Sequence, residues 1–113
     1  LSVAGVPAGR FLFLGFLPRR GAARRSLLAE ASARPLALVA YEAPHRLVET
    51  LADLEAVVGD RVVAVASELT KLYEEVLRDT PARLLEHFRA IRPRGEYTLV
   101  VSPPGPGEGE EPG

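Results

Sequence analysis

Runs of consecutive apolar residues alternate along this chain with segments in which apolar positions recur every three or four residues. Residues 10–16, with Phe11-Leu12-Phe13-Leu14 at their centre and Gly15 and Pro18 at their end, read as a short buried strand. Over residues 22–33, Leu27, Leu28 and Ala31 share one side and Arg24, Arg25 and Glu30 lie elsewhere, which is helical spacing. Residues 36–41 form a continuous apolar run between Pro35 and Pro44, the pattern of a strand covered on both faces. Pro44 suits a first helical turn, where a missing N–H costs nothing, and Leu47, Leu51, Leu54 and Val58 then repeat as far as Gly59. Residues 61–66 read as another buried strand, the run from Glu68 to Lys71 as a loop, and residues 74–78 as a short strand. Thr80 is placed to cap a helix running through Phe88, with Asp79 competing for that role. Residues 96–101 close the order as a last strand.

Strands and helices in this order predict an α/β layered domain with a mixed sheet and flanking helices, its helix-separated strands joined by right-handed crossovers. Residues 1–102 carry the domain. Beyond Ser102, Pro, Gly and Glu dominate and cannot build a core, so 103–113 is expected to be a disordered tail. At 113 residues there is enough chain for one stable core.

Composition narrows the setting. The chain starts Leu1-Ser2-Val3 and contains neither Met nor Cys, which suggests a segment of a longer protein and removes disulfides and thiolate metal sites. No apolar window approaches the roughly 18 residues of a membrane span, and no signal peptide is visible. A cytoplasmic protein without membrane contact is the expectation. The net charge of −1 hides an asymmetry, because Glu108, Glu110 and Glu111 lie in the tail while Arg10, Arg19, Arg20, Arg24, Arg25 and Arg34 stand against Glu30 alone. Such a segment is either a phosphate-facing surface or a solvated helix face.

Glycine-rich phosphate loops, zinc-ligand clusters and nucleophile elbows are absent from the sequence, so no metal is expected. Two polar clusters remain. Tyr41-Glu42-Ala43-Pro44-His45-Arg46 joins a strand to a helix, and ligands of open α/β sheets gather at the carboxyl ends of strands. The plainer alternative pairs Glu42 with Arg46 and uses His45 as a helix cap. Glu68-Leu69-Thr70-Lys71-Leu72-Tyr73-Glu74-Glu75 follows the next apolar strand, and the two loops emerge from one edge of the sheet if those strands are parallel. Its alternative is a surface Glu68–Lys71 pair worth less than about 1 kcal/mol.

These runs, together with Phe13-Leu14-Gly15-Phe16-Leu17-Pro18-Arg19-Arg20-Gly21 and Arg94-Gly95-Glu96, resemble in order and spacing the C-terminal half of the ribosomal RNA small subunit methyltransferase I family. That family lies within the tetrapyrrole (class III) methylase superfamily, and the resemblance covers residues 1 to about 102. It implies a 16S rRNA 2′-O-ribose cytidine methyltransferase that binds S-adenosylmethionine between two α/β domains, acts on 16S rRNA or the small ribosomal subunit, and forms a homodimer. By the same resemblance Glu42 lines the cofactor cleft and Leu69, just before Thr70, offers a main-chain contact to the adenine end. The departures are Asp79 in place of the usual Gly before Thr80, Pro81 after it, and Ala4-Gly5-Val6-Pro7 in place of Ser-Gly-Leu-Pro. The glycine-rich half of the family's cofactor site has no counterpart here, so the chain alone is expected to be inactive.

Methyl transfer to a ribose hydroxyl depends largely on alignment. Arg46 and Lys71 are the candidates for placing phosphate or hydroxyl, His45 and Glu68 the candidate bases. Glu42, Leu69 and Thr70 are the expected cofactor contacts, and Arg19, Arg20, Arg24 and Arg25 the expected RNA contacts. Two other functions share this fold: a tetrapyrrole-precursor methyltransferase domain, which the Tyr-Glu-Ala-Pro-His-Arg run disfavours, and a noncatalytic dimerisation or RNA-docking module.

Overall fold

The apolar runs become the strands of a single sheet, and the segments of helical spacing become helices laid against one of its faces. The computed structural model describes residues 11–68 and 74–103. In chain order the elements are β1 (Phe11–Phe16), α1 (Gly21–Ser32), β2 (Ala37–Glu42), a 3-10 turn (Pro44–Arg46), α2 (Leu47–Val58), β3 (Val63–Glu68), β4 (Glu74–Asp79), α3 (Pro81–Arg89) and β5 (Tyr97–Val101). The expected α/β domain with a mixed sheet is the one observed. The segment beyond residue 103, expected to be a disordered tail, lies outside the described residues.

The strands are ordered β1-β2-β5-β3-β4. β1 and β2 are parallel, β5 runs antiparallel to both β2 and β3, and β4 is antiparallel to β3. β2 and β3 therefore point the same way with β5 between them. Glu42 of β2 and Ser67 of β3 both pair with Tyr97 of β5, so the carboxyl ends of the two strands lie level at one end of the sheet.

Local chemistry sets the boundaries. α2 stops at Gly59, whose φ of 68° is strained for any residue with a Cβ. α3 starts with Pro81, and Thr80 holds the cap position in an extended conformation, but its hydroxyl caps nothing. Asp79 accepts the Thr80 N–H instead, at 2.8 Å. β3 begins two residues later than the apolar run suggests and runs on through Ser67 and Glu68, because backbone pairing with β4 and not side-chain polarity decides where a ladder ends.

All three helices place their buried side chains in one cluster. Leu28 and Ala31 of α1, Leu47, Leu51, Leu54 and Val58 of α2, and Leu84, Leu85 and Phe88 of α3 meet Leu38, Ala40, Val63, Val65, Leu99 and Val101 of the sheet. Leu47 and Leu51 lose all exposure, which is worth roughly 1.5–3 kcal/mol for each side chain. On the opposite face, among the described residues, Val39, Ala64 and Val100 form a smaller cluster with Phe11 against it.

β1 departs from the expected buried strand. It is an edge strand, and Phe13 and Phe16 are 49% and 56% exposed. Leu12 and Leu14 pack on the helix side. Then the register slips: Phe13 pairs with Val39 but Gly15 pairs with Ala40 and Phe16 with Tyr41. This bulge, which uses a φ of 71° at Gly15, puts Phe16 opposite Tyr41 and therefore on the same face as Phe13. A regular strand would have turned Phe16 into the core.

Candidate functional site

The first polar cluster is built around a carboxylate that water cannot reach. Glu42, the last residue of β2, is 0% exposed. Its Oε1 accepts the Ala43 N–H at 2.9 Å and Nε–H of Arg46 at 3.2 Å, and its Oε2 accepts the Thr50 hydroxyl at 2.6 Å. Three donors compensate a charge that would otherwise be prohibitively costly to bury. They also tie the strand end, the 3-10 turn and the first turns of α2 together.

Arg46 continues outward from this anchor. Its side chain is 18% exposed, and Nη1 lies 2.8 Å from Nε2 of the exposed His45. Guanidinium groups only donate, so this contact is a hydrogen bond in the tautomer that leaves Nε2 unprotonated. The plainer alternative for this cluster is thus half right: Glu42 and Arg46 pair, but neither the 3-10 turn nor α2 has a side-chain cap. Glu42 itself does not present its carboxylate to a cleft within this chain, because all of it is enclosed. In that tautomer the Nε2 lone pair of His45 is engaged, and service as a base there requires Arg46 to let go.

The second cluster begins where β3 ends, one strand away from Glu42 across β5. Leu69, Thr70 and Lys71 lie outside the described residues, as does the side chain of Glu68. What is described at this end is a cavity of about 360 Å³ lined by Phe16, Tyr41, Ala66, Ser67, Glu96, Tyr97 and Thr98.

The arginine segment divides. Arg19 and Arg20 are exposed. Arg24 is 3% exposed, and its Nε lies 2.6 Å from Oδ2 of Asp53. It also donates to the carbonyls of Pro18 at 3.3 Å and Arg19 at 3.2 Å and reaches Oε1 of Glu49 at 3.4 Å. Expected as an RNA contact, Arg24 is instead an internal clamp joining α1, α2 and the loop after β1. Arg25, half exposed, approaches the other oxygen of Asp53 at 3.2 Å. Sequence reasoning missed Glu49, Thr50 and Asp53. The available signal was that Thr50 and Asp53 stand inside the buried stripe of α2, beside Leu47, Leu51 and Leu54, where a polar residue needs a partner.

Among the described residues no three His, Asp or Glu side chains are grouped to hold a metal ion, and no helix is long and apolar enough to cross a membrane.

The mixed sheet with helices on one face and polar junctions at its strand ends makes this an α/β domain of the open-sheet kind. No family model matches the chain. Among curated proteins it is 42% identical over 104 residues to the ribosomal RNA small subunit methyltransferase I of Erythrobacter litoralis, a match covering 92% of this chain and 37% of that protein. It is 41% identical over 102 residues to the protein of the same name from Thermotoga maritima, covering 90% of this chain and 46% of that one. The corresponding figures for Pseudomonas aeruginosa are 44% over 115 residues, 98% and 40%. The chain spans less than half the length of these relatives. The resemblance carried by the motifs is thus a relationship over nearly the whole chain, which corresponds to the C-terminal part of ribosomal RNA small subunit methyltransferase I.

Proposed function

We propose that this chain is the C-terminal half of an S-adenosylmethionine-dependent 16S rRNA 2′-O-ribose cytidine methyltransferase, inactive unless joined to the half that completes the cofactor cleft. The observation that carries the reading is the match of nine-tenths or more of the chain to proteins named as rRNA methyltransferases. The geometry supports it, since the two motif-bearing strands, β2 and β3, end level at one end of the sheet. The cavity there is near the lower limit of small-molecule sites, roughly 300–1,000 Å³, and suits one wall of a cleft closed by a second domain.

When bound, the sulfonium supplies an activated methyl group, and the protein's task is alignment. Arg46, held by buried Glu42, offers a guanidinium of fixed position to a phosphate or to the ribose hydroxyl. Lys71 complements it from the β3 loop, with His45 and Glu68 as the candidate proton acceptors. Leu69 contacts the adenine end of the cofactor through its main chain, with Thr70 next to it, and Glu42, enclosed itself, backs the wall of the cleft by holding Arg46. Arg19, Arg20 and Arg25 face RNA phosphates. The working form is a homodimer in the cytoplasm, acting on the small ribosomal subunit.

The test is methylation of small subunits by the longer protein that contains this chain, beside the 113-residue chain alone. The longer protein is expected to yield a methylated cytidine ribose and the short chain none. Methylation by the short chain would overturn the division of the cleft, and a product unmethylated at ribose would overturn the activity.

A further inference from the structure

The face of the sheet away from the helices carries the rings of Phe13, Phe16 and Tyr41, of which Phe13 lies outside the lining of the strand-end cavity. Phe13 and Phe16 flank Tyr41, each with its ring centroid 5.4 Å from the Tyr41 ring. The grouping exists only because the bulge at Leu14 and Gly15 turns Phe16 out of the core, at the cost of leaving both phenylalanine rings about half in solvent. Bulges that redirect a side chain concentrate beside functional sites. Phe16 and Tyr41 also form one wall of the strand-end cavity, whose other walls carry Ser67, Glu96 and Thr98. β1 then leads through Leu17 and Pro18 directly to the exposed Arg19 and Arg20 at the same end of the sheet.

We propose that Phe13, Tyr41 and Phe16, the two phenylalanine rings inclined to Tyr41 at 76° and 59°, form an aromatic platform at the mouth of this cavity on which an unpaired RNA base stacks against one ring face and meets the other rings edge-on. The inference rests on the reading of the substrate as rRNA and names the residues that would receive it. A nucleobase matches the chemistry on both counts: its flat face stacks on aromatic rings, and its edges need the hydrogen-bonding groups of Glu96 and Thr98. Arg19 and Arg20 supply positive charge for the flanking phosphates, which an apolar polypeptide partner would not need. Stacking is tolerant of base identity, so the platform holds a base out of a helix without reading it.

The test measures binding of the 113-residue chain to a fluorescent single-stranded oligoribonucleotide of about ten nucleotides and to a hairpin of equal length, across a salt series. Phe13→Leu with Phe16→Leu keeps apolar bulk and removes the aromatic faces. The expected result is single-strand binding weakened by roughly 10-fold or more, with the slope of affinity against salt unchanged, because no phosphate contact is lost. Phe16→Tyr should restore what Phe16→Leu loses. Should the double variant fail to fold, Phe16→Leu alone, at the more exposed ring, is read in the same way. Wild-type RNA binding that the leucine variants leave intact overturns the platform and spares the rRNA reading. No RNA binding by the wild-type chain also overturns the platform, while the rRNA reading stands or falls with methylation by the longer protein. Leucine variants that lose self-association, or affinity for adenosine, while keeping affinity for the oligonucleotide would assign the rings to a dimer contact or to the cofactor and also overturn the proposal.

Discussion

Among the described residues two carboxylates are buried, each holding an arginine, and their surroundings differ at one end only. Asp53 of α2 meets Arg24, whose guanidinium is enclosed and has protein acceptors on Pro18, Arg19, Glu49 and Asp53. Glu42 at the end of β2 meets Arg46, whose outer nitrogen leaves the core and touches an exposed histidine. Burying an ion pair costs desolvation that its attraction does not always recover, so neither pair is explained by net stability alone. The closed pair fixes how α1 sits on α2. The open pair fixes where a cation stands at the strand ends, where ligands of such sheets gather. A charge locked on every side can only hold structure, whereas one anchored from within and free outside can also do chemistry.

The largest effect should come from breaking the closed pair. Arg24→Ala leaves Asp53 buried with only Arg25 for company and is expected to destabilise the fold by about 3–5 kcal/mol. Arg25→Ala, one residue along and bound to the same carboxylate but half in solvent, should cost less than about 1 kcal/mol. Urea unfolding of the two variants checks this. Equal losses would erase the distinction between the enclosed arginine and its neighbour.

The inner end of the open pair should respond next. Thr50→Val keeps the shape of the side chain but deprives Oε2 of Glu42 of its donor, and an unsatisfied acceptor at that depth is worth about 1–3 kcal/mol. Thr50→Ser, which keeps the hydroxyl, should fall well inside that loss. If valine and serine behave alike in urea, the threonine hydroxyl does not support the carboxylate and the anchoring of Arg46 must come from elsewhere.

Which parts of this were legible in the sequence follows from what a one-dimensional pattern carries. α2 was readable because Leu47, Leu51, Leu54 and Val58 repeat with the helical period between a proline and a glycine, each with its own backbone effect. β2 was readable because a long apolar run between prolines has few other uses. β1 was read as buried because its four apolar residues look the same whether covered on one face or two, and a bulge leaves no mark except Gly15. Arg24 was grouped with its neighbours since a charge count is blind to direction. Only the register of α1 against α2 turns Arg24 toward Asp53 while Arg19 and Arg20 remain outside. The Glu42–Arg46 pairing was foreseeable from four-residue spacing, but the role of Thr50 was not, because it depends on where β2 ends above α2.

The smallest structural effect, and the sharpest use of the comparison, belongs to His45. Its ring is exposed and its described contact is with Arg46, so His45→Ala should change stability by no more than about 0.5 kcal/mol. Arg46 keeps its Nε bond to Glu42 in that variant, so the guanidinium stays anchored but loses the contact that fixes its outer nitrogen. In the longer protein the expected result is reduced methylation with unfolding unchanged, the reverse of what Arg24→Ala should do. Arg46→Ala is a poorer probe, because it also strips a donor from a carboxylate that cannot reach water and confounds stability with activity. Wild-type turnover in His45→Ala would remove the ring from the mechanism and leave Arg46 held from the inside only. A loss of stability as large as that of Thr50→Val would show that the outer end of the pair is as structural as the inner one.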